Sequence, residues 1–119
     1  RDFCLEKIVK LNGREFINNE KCRGVTFSTE DSPVDLAKIV ITGRYPEQGW
    51  ARNLESHEMV QVLSGIGNLA LRNGMTTRLT EGDVVHVEPK TWFAWDGDMT
   101  IMMACSPPFS PDQYEIKER

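Results

Sequence analysis

The sequence predicts an all-β fold, a barrel or a sandwich, from three observations. Apolar and polar residues alternate over short segments, as in 34–42, where Ala37, Ile39 and Ile41 fall on one face and Lys38, Val40 and Thr42 on the other. Gly, Asn, Asp or Pro bounds these segments. About nine or ten of them follow at short spacing, uninterrupted by a repeat, a low-complexity tract or a linker.

The chain opens with Asn12-Gly13 between 5–11 and 14–17, a two-residue hairpin signal because both central residues must tolerate positive φ. A short strand is expected over 24–28, with Val25 and Phe27 alternating against polar neighbours, and another over 34–42. Residues 43–49, with Pro46 among them, read as a loop. Strands are then expected over 58–63, 68–72, 76–80, 84–87, 92–95 and 99–105. Asn73-Gly74, Glu81-Gly82-Asp83 and Asp96-Gly97-Asp98 mark the turns between them. In the tail, Pro107-Pro108 stops the last strand and a short helix is expected next. Ser110 stands at its cap, Pro111 at the first helical position and Gln113 three residues past the cap. Phe109 and Tyr114 are expected to pack that helix onto the barrel.

At 119 residues the chain suits one domain with its own core. A net charge of −4 with scattered basic residues offers no patch for phosphate backbones, so nucleic acid is not an expected partner. Apolar runs are only a few residues long, which predicts no membrane span, and no secretory leader is visible. Cys4, Cys22 and Cys105 are odd in number and widely spaced, which argues against a disulfide framework and for a reducing, cytoplasmic setting.

Two stretches carry a family resemblance. Glu58-Met59-Val60-Gln61-Val62-Leu63-Ser64-Gly65-Ile66-Gly67 and Gly82-Asp83-Val84-Val85-His86-Val87-Glu88-Pro89 resemble the two motifs of the cupin superfamily. The resemblance covers about 37–115 and implies a jelly-roll β-barrel with a short C-terminal helix, preceded by hairpin strands within about 5–28. It also implies a metal site, and there the chain departs from the pattern. Glu58 matches the acidic ligand and Gly65 the glycine closing its strand, but the two first-motif His positions fall on Ala51 and Asn53, and the second-motif His on Ala94. No metal or other cofactor is therefore expected, because a single carboxylate binds first-row metals weakly.

Glu58 shares its strand face with Val60 and Val62, a costly place for an unpaired carboxylate. It reads either as a pocket carboxylate that holds a ligand or moves a proton, or as a barrel-mouth Glu bonded to its surroundings. His57 is its neighbour and points to the opposite face, so the two cannot ligate one metal from a regular strand. His86 alternates with Glu88 and is placed on a wet side. Asn53 retains hydrogen-bonding capacity at a ligand position, and Arg52 beside it could pair with a carboxylate or phosphate. Trp92 and Trp95 flank the missing His, while Tyr45 and Trp50 precede the first motif; such aromatics either stack on a ring at the mouth or form core. Gly65-Ile66-Gly67 follows a strand without opening a helix, so it is not a dinucleotide loop.

Fold alone does not set function. The leading expectation is metal-independent binding of a sugar or other polar metabolite by Arg52, Asn53, Glu58, Trp92 and Trp95. The alternatives are a sugar isomerase, epimerase or lyase-type cupin using Glu58 as acid or base, with or without a weakly bound metal, and a structural dimerisation module with a filled interior. A homodimer is expected, because Met59, Gln61 and Leu63 form an outer face that needs a cover, either 5–17 or a second subunit.

Overall fold

The computed structural model describes residues 6–119; Cys4 and Leu5 lie outside the described residues. Its strands are β1 (Arg14–Asn19), β2 (Cys22–Phe27), β3 (Asp35–Ile41), β4 (Trp50–Asn53), β5 (His57–Leu71), β6 (Thr76–Thr80), β7 (Val84–Val87), β8 (Phe93–Ser106) and β9 (Tyr114–Lys117), with a 3₁₀ turn at Pro111–Gln113. All pairings are antiparallel, and the sheet runs β1-β2-β3-β8-β4-β9, with β5 pairing β6, β7 and β8. The two long strands hold it together. The first half of β5 lies between β7 and the end of β8, and its second half lies between β6 and the start of β8. The sheet thus curls into two facing layers, a cupin jelly roll. No helix among the described residues is long and apolar enough to cross a membrane.

Where a break between strands and a turn were expected, the strands run on. Residues 64–67 lie inside β5 and 96–98 inside β8, each as a bend with the ladder unbroken beyond it. Glycine makes this possible. Gly65 has φ +89°, and a Cβ there would stand 2.2 Å from the Asp98 carbonyl oxygen. Gly97 has φ +126° and faces Gly67 so closely that a Cβ would lie 2.5 Å from its Cα. Both conformations are strained for any other residue, and both approaches are closed to any side chain.

The chain's start departs from expectation. Residues 6–13 form no regular element, and the first hairpin turns between β1 and β2 instead, where the Lys21 amide donates to Asn19 Oδ1. Asn12-Gly13 is a sound turn signal with no partner strand before it among the described residues. The C-terminal helix is also shorter than expected. It is a single 3₁₀ turn with no side-chain cap from Ser110, whose hydroxyl donates to Asp112 Oδ1 instead. Its continuation is β9, pulled into ladder pairing by β4. Phe109 and Tyr114 do pack together, ring centroids 5.2 Å apart.

Strand alternation sets the interior. Along β5, Glu58, Val60 and Val62 are buried while His57, Met59, Gln61 and Leu63 are exposed. Ile39 and Ile41 of β3, Phe93 and Trp95 of β8, and Ile101, Met103 and Cys105 further along β8 complete one core.

Candidate functional site

The interior is not filled by side chains. A cavity of about 430 Å³ lies between the two layers, with Glu58 in its wall. Tyr45, Phe93, Trp95 and Tyr114 supply an aromatic side, and Ile39, Ile101 and Met103 an aliphatic one. Phe93 and Trp95 meet edge to face at 6.1 Å, the arrangement favoured by ring quadrupoles. The Tyr45 and Tyr114 hydroxyls are 2.7 Å apart, and burial raises both phenols above their ordinary range, so both stay neutral.

Glu58 is held by a chain of amides that begins in the C-terminal turn. Gln113 Oε1 accepts from the backbone N–H groups of Glu55 (3.0 Å) and Ser56 (3.2 Å). That fixes which end of Gln113 is the amine, and Nε2 donates to Asn53 Oδ1 at 2.8 Å. Asn53 is oriented in turn, and its Nδ2 donates to Glu58 Oε2 at 2.9 Å. All three side chains are buried. The other carboxyl oxygen, Glu58 Oε1, is buried with no hydrogen-bond partner among the described residues.

Burial pushes the Glu58 carboxyl up from 4.5 to about 7, with Asp35 adding to the rise and the Asn53 hydrogen bond opposing it. Asp35 is the second buried carboxyl in the cavity wall, and its Oδ2 accepts from the Phe109 amide at 2.9 Å. Cys22 and Cys105 also line the cavity. Burial raises both thiols, so neither is poised as a thiolate at neutral pH.

Of the residues singled out in the sequence, the structure brings Glu58 and Trp95 to the cavity, and Asn53 stands behind Glu58 without lining it. Arg52 and Trp92 are not brought there. Arg52 neighbours Asn53 on β4 and so faces outward, where Nε and Nη2 contact Glu115 Oε1 at 2.8 and 2.7 Å. Its guanidinium lies 4.3 Å from the Trp92 ring centroid, and Arg72 approaches the same ring at 5.8 Å. Trp50 stacks likewise against Arg44, 5.1 Å away. His57 and His86 meet on the outer surface, His57 Nδ1 to His86 Nε2 at 2.9 Å, and neither lines the cavity.

The residues missed were Gln113, Asp35, Cys22, Cys105 and Phe16, together with Tyr114 as a cavity wall. Asp35 was within reach, because it is in phase with Ala37, Ile39 and Ile41. Gln113 carried no local signal beyond its place in the expected helix cap.

The metal expected of the fold finds no fitting residues. The positions carried over from the motifs hold Ala51, Asn53, Glu58 and Ala94. Ala94 does not line the cavity; its neighbours Phe93 and Trp95 take the inward places on β8. No three of His, Cys, Asp and Glu cluster as ligands among the described residues. One carboxylate, one amide and aromatic carbons are a poor donor set for a transition metal.

A bent double-layered β-barrel with a carboxylate at the first-motif acidic position defines the class. The chain has the cupin fold, and residues 46–102 match the EutQ-like cupin domain. It resembles the Streptomyces nucleoside dehydratase Pac13 at 17% identity, covering 94% of this chain and 92% of that one with a TM-score of 0.81. Ectoine synthase from P. lautus is similar at 13% identity, 85% and 79% coverage and a TM-score of 0.66. KdgF from Halomonas sp. follows at 14%, 83% and 91%, and 0.63. At these identities the likeness concerns the fold. No curated protein matches the chain in sequence.

Proposed function

We propose that this cupin binds a small polar organic molecule, a sugar or another ring-bearing metabolite, in the cavity over Glu58 and without a resident metal. The observation that carries this reading is Glu58 Oε1. A buried polar atom without a partner costs free energy that a ligand hydroxyl or carbonyl would recover. Asn53, oriented by Gln113, occupies Oε2, so the oxygen left for a ligand is Oε1. The aromatic side formed by Tyr45, Phe93, Trp95 and Tyr114 suits the face of a ring. The Streptomyces protein, which has been seen with uridine, supports a ligand of this size in a barrel of this shape.

The same carboxyl supports a second reading, an isomerase, epimerase or lyase-type reaction with Glu58 as the proton carrier. A group titrating at about 7 can give or take a proton at neutral pH. Because Asn53 donates to Oε2, the acidic proton resides on Oε1.

Calorimetric titration of nucleosides and free sugars into the wild type and into Ala37→Phe tests the proposal. Ala37 is half-buried in the cavity wall, so a benzyl group there occupies ligand space. The expected result is binding by the wild type that is lost in a variant with an unchanged circular dichroism spectrum. Equal binding by both would place the ligand elsewhere. Product formation monitored by proton NMR on the same panel separates binding from turnover.

A further inference from the structure

We infer that the cavity selects against anions, taking uncharged or cationic ring compounds and rejecting their phosphate and carboxylate derivatives. This rests on the reading of the cavity as the ligand site and adds the charge class of what it admits. Among the described residues four charged side chains line it: Arg14, Glu30, Asp35 and Glu58. Three are acidic. The two that are buried are both carboxyls, Asp35 and Glu58, while Arg14 and Glu30 are exposed. No Lys or His among the described residues lines the wall.

The basic residues closest to the first motif are engaged elsewhere. Arg52 is turned outward onto Glu115 and Trp92. Arg44 donates to the Pro46 carbonyl and stacks on Trp50. A phosphate or carboxylate deep in the cavity would therefore meet phenols, thiols, apolar groups and two buried carboxyls; the amide of Asn18 and the hydroxyls of Thr26, Ser28 and Thr29 are neutral, and Arg14, the cation among the described lining residues, is exposed. Anion sites are built the other way, from guanidinium forks or convergent N–H groups. The backbone N–H of Phe109, in the cavity wall, already donates to Asp35. A neutral hydroxyl loses nothing by this arrangement, since it can accept from the protonated Glu58 or donate to its carboxylate. A ligand cation gains, because carboxyls and ring faces both favour it.

The test uses matched probes: uridine against uridine 5′-monophosphate, cytidine against its monophosphate, and glucose against glucosamine and glucose 6-phosphate. Each is titrated calorimetrically at pH 7.5 into the full chain. The result expected is that at least one uncharged or cationic probe binds and its phosphate ester binds weaker by roughly tenfold or more. In Asp35→Asn that ratio should shrink, because one of the two buried charges is gone; heat capacity and circular dichroism verify that the variant is folded. A phosphate ester binding as tightly as its parent would overturn the charge class while leaving the cavity a ligand site. An unchanged ratio in the folded variant would also overturn it. Failure of every probe to bind would reject the proposed ring-compound site, and this inference with it.

Discussion

Glu58→Gln turns the buried carboxyl into a stability measurement. Glutamine mimics the protonated acid, because its oxygen can accept from Asn53 Nδ2 while its amine occupies the place of the Oε1 proton. In the wild type the carboxyl titrates at about 7 when folded, against 4.5 ordinarily. The folded state thus holds this proton more tightly than the unfolded chain does. Below about pH 4.5 both states are protonated and Glu58 carries no penalty. Between 4.5 and 7 the unfolded chain ionises first and wild-type stability falls; above 7 both are ionised and the full penalty persists. The gap corresponds to about 3 kcal/mol, or roughly 10 °C in melting temperature for a domain of this size. Denaturant unfolding of the two proteins from pH 4.5 to 8 reads it directly. The wild-type curve should fall away from that of the variant as pH rises and run parallel to it above about 7.5. A constant difference across this range would refute the burial of an ionisable Glu58, whatever else the cavity does.

Gln113→Leu should lower stability by about 3 kcal/mol in urea, because it strands the Glu55 and Ser56 amides and Asn53 Oδ1 in a buried place. Arg52→Ala should leave ligand affinity unchanged and cost at most about 1 kcal/mol, since its ion pair and its stack on Trp92 are both partly exposed; a loss of binding would return Arg52 to the site. Elemental analysis of the purified protein should find well under one Fe, Mn, Ni or Zn per chain, and a stoichiometric metal would contradict the donor set described above. We further propose a homodimer through the outer face of β5 and its neighbours, where Met59, Leu63, Val84 and Leu36 are all exposed and no described residue covers them. Light scattering should give twice the 13.6 kDa chain mass and Leu63→Arg a soluble monomer, whereas a wild-type monomer at tens of micromolar would rule the dimer out.

The sequence exposed the fold through its alternation. The phase of Glu58, Val60 and Val62 against Met59, Gln61 and Leu63 needs only the two-residue repeat of a strand, and the structure follows it. The same rule, applied at β4, separates Arg52 from Asn53 as surely as it separates His57 from Glu58; grouping Arg52 with the pocket overlooked it. The same alternation sets Trp92 apart from Trp95, three residues on: Phe93 and Trp95 line the cavity, while Trp92 stacks with Arg52. Gly65 and Gly97 announced a change of chain direction, but sequence does not distinguish a hairpin from a bend inside a long strand. That distinction comes from the cross-strand pairing of Gly67 with Gly97. Gln113 lay beyond local reading altogether. Its role depends on Asn53, 60 residues earlier, and on two backbone amides that only the closed barrel presents to it.

A ligand against the free oxygen of Glu58, and a Glu58 carboxyl pushed up to about 7, can be tested together. Carbon-detected NMR of the Glu58 side-chain carboxyl, followed from pH 4 to 9 with and without the tightest-binding neutral probe, addresses both halves at once. The midpoint should lie near 7 in the free protein and move when the probe is bound, since the probe's hydrogen bond to Oε1 favours one protonation state. A midpoint between 4 and 5, or one near 7 that the bound probe leaves in place, would contradict it.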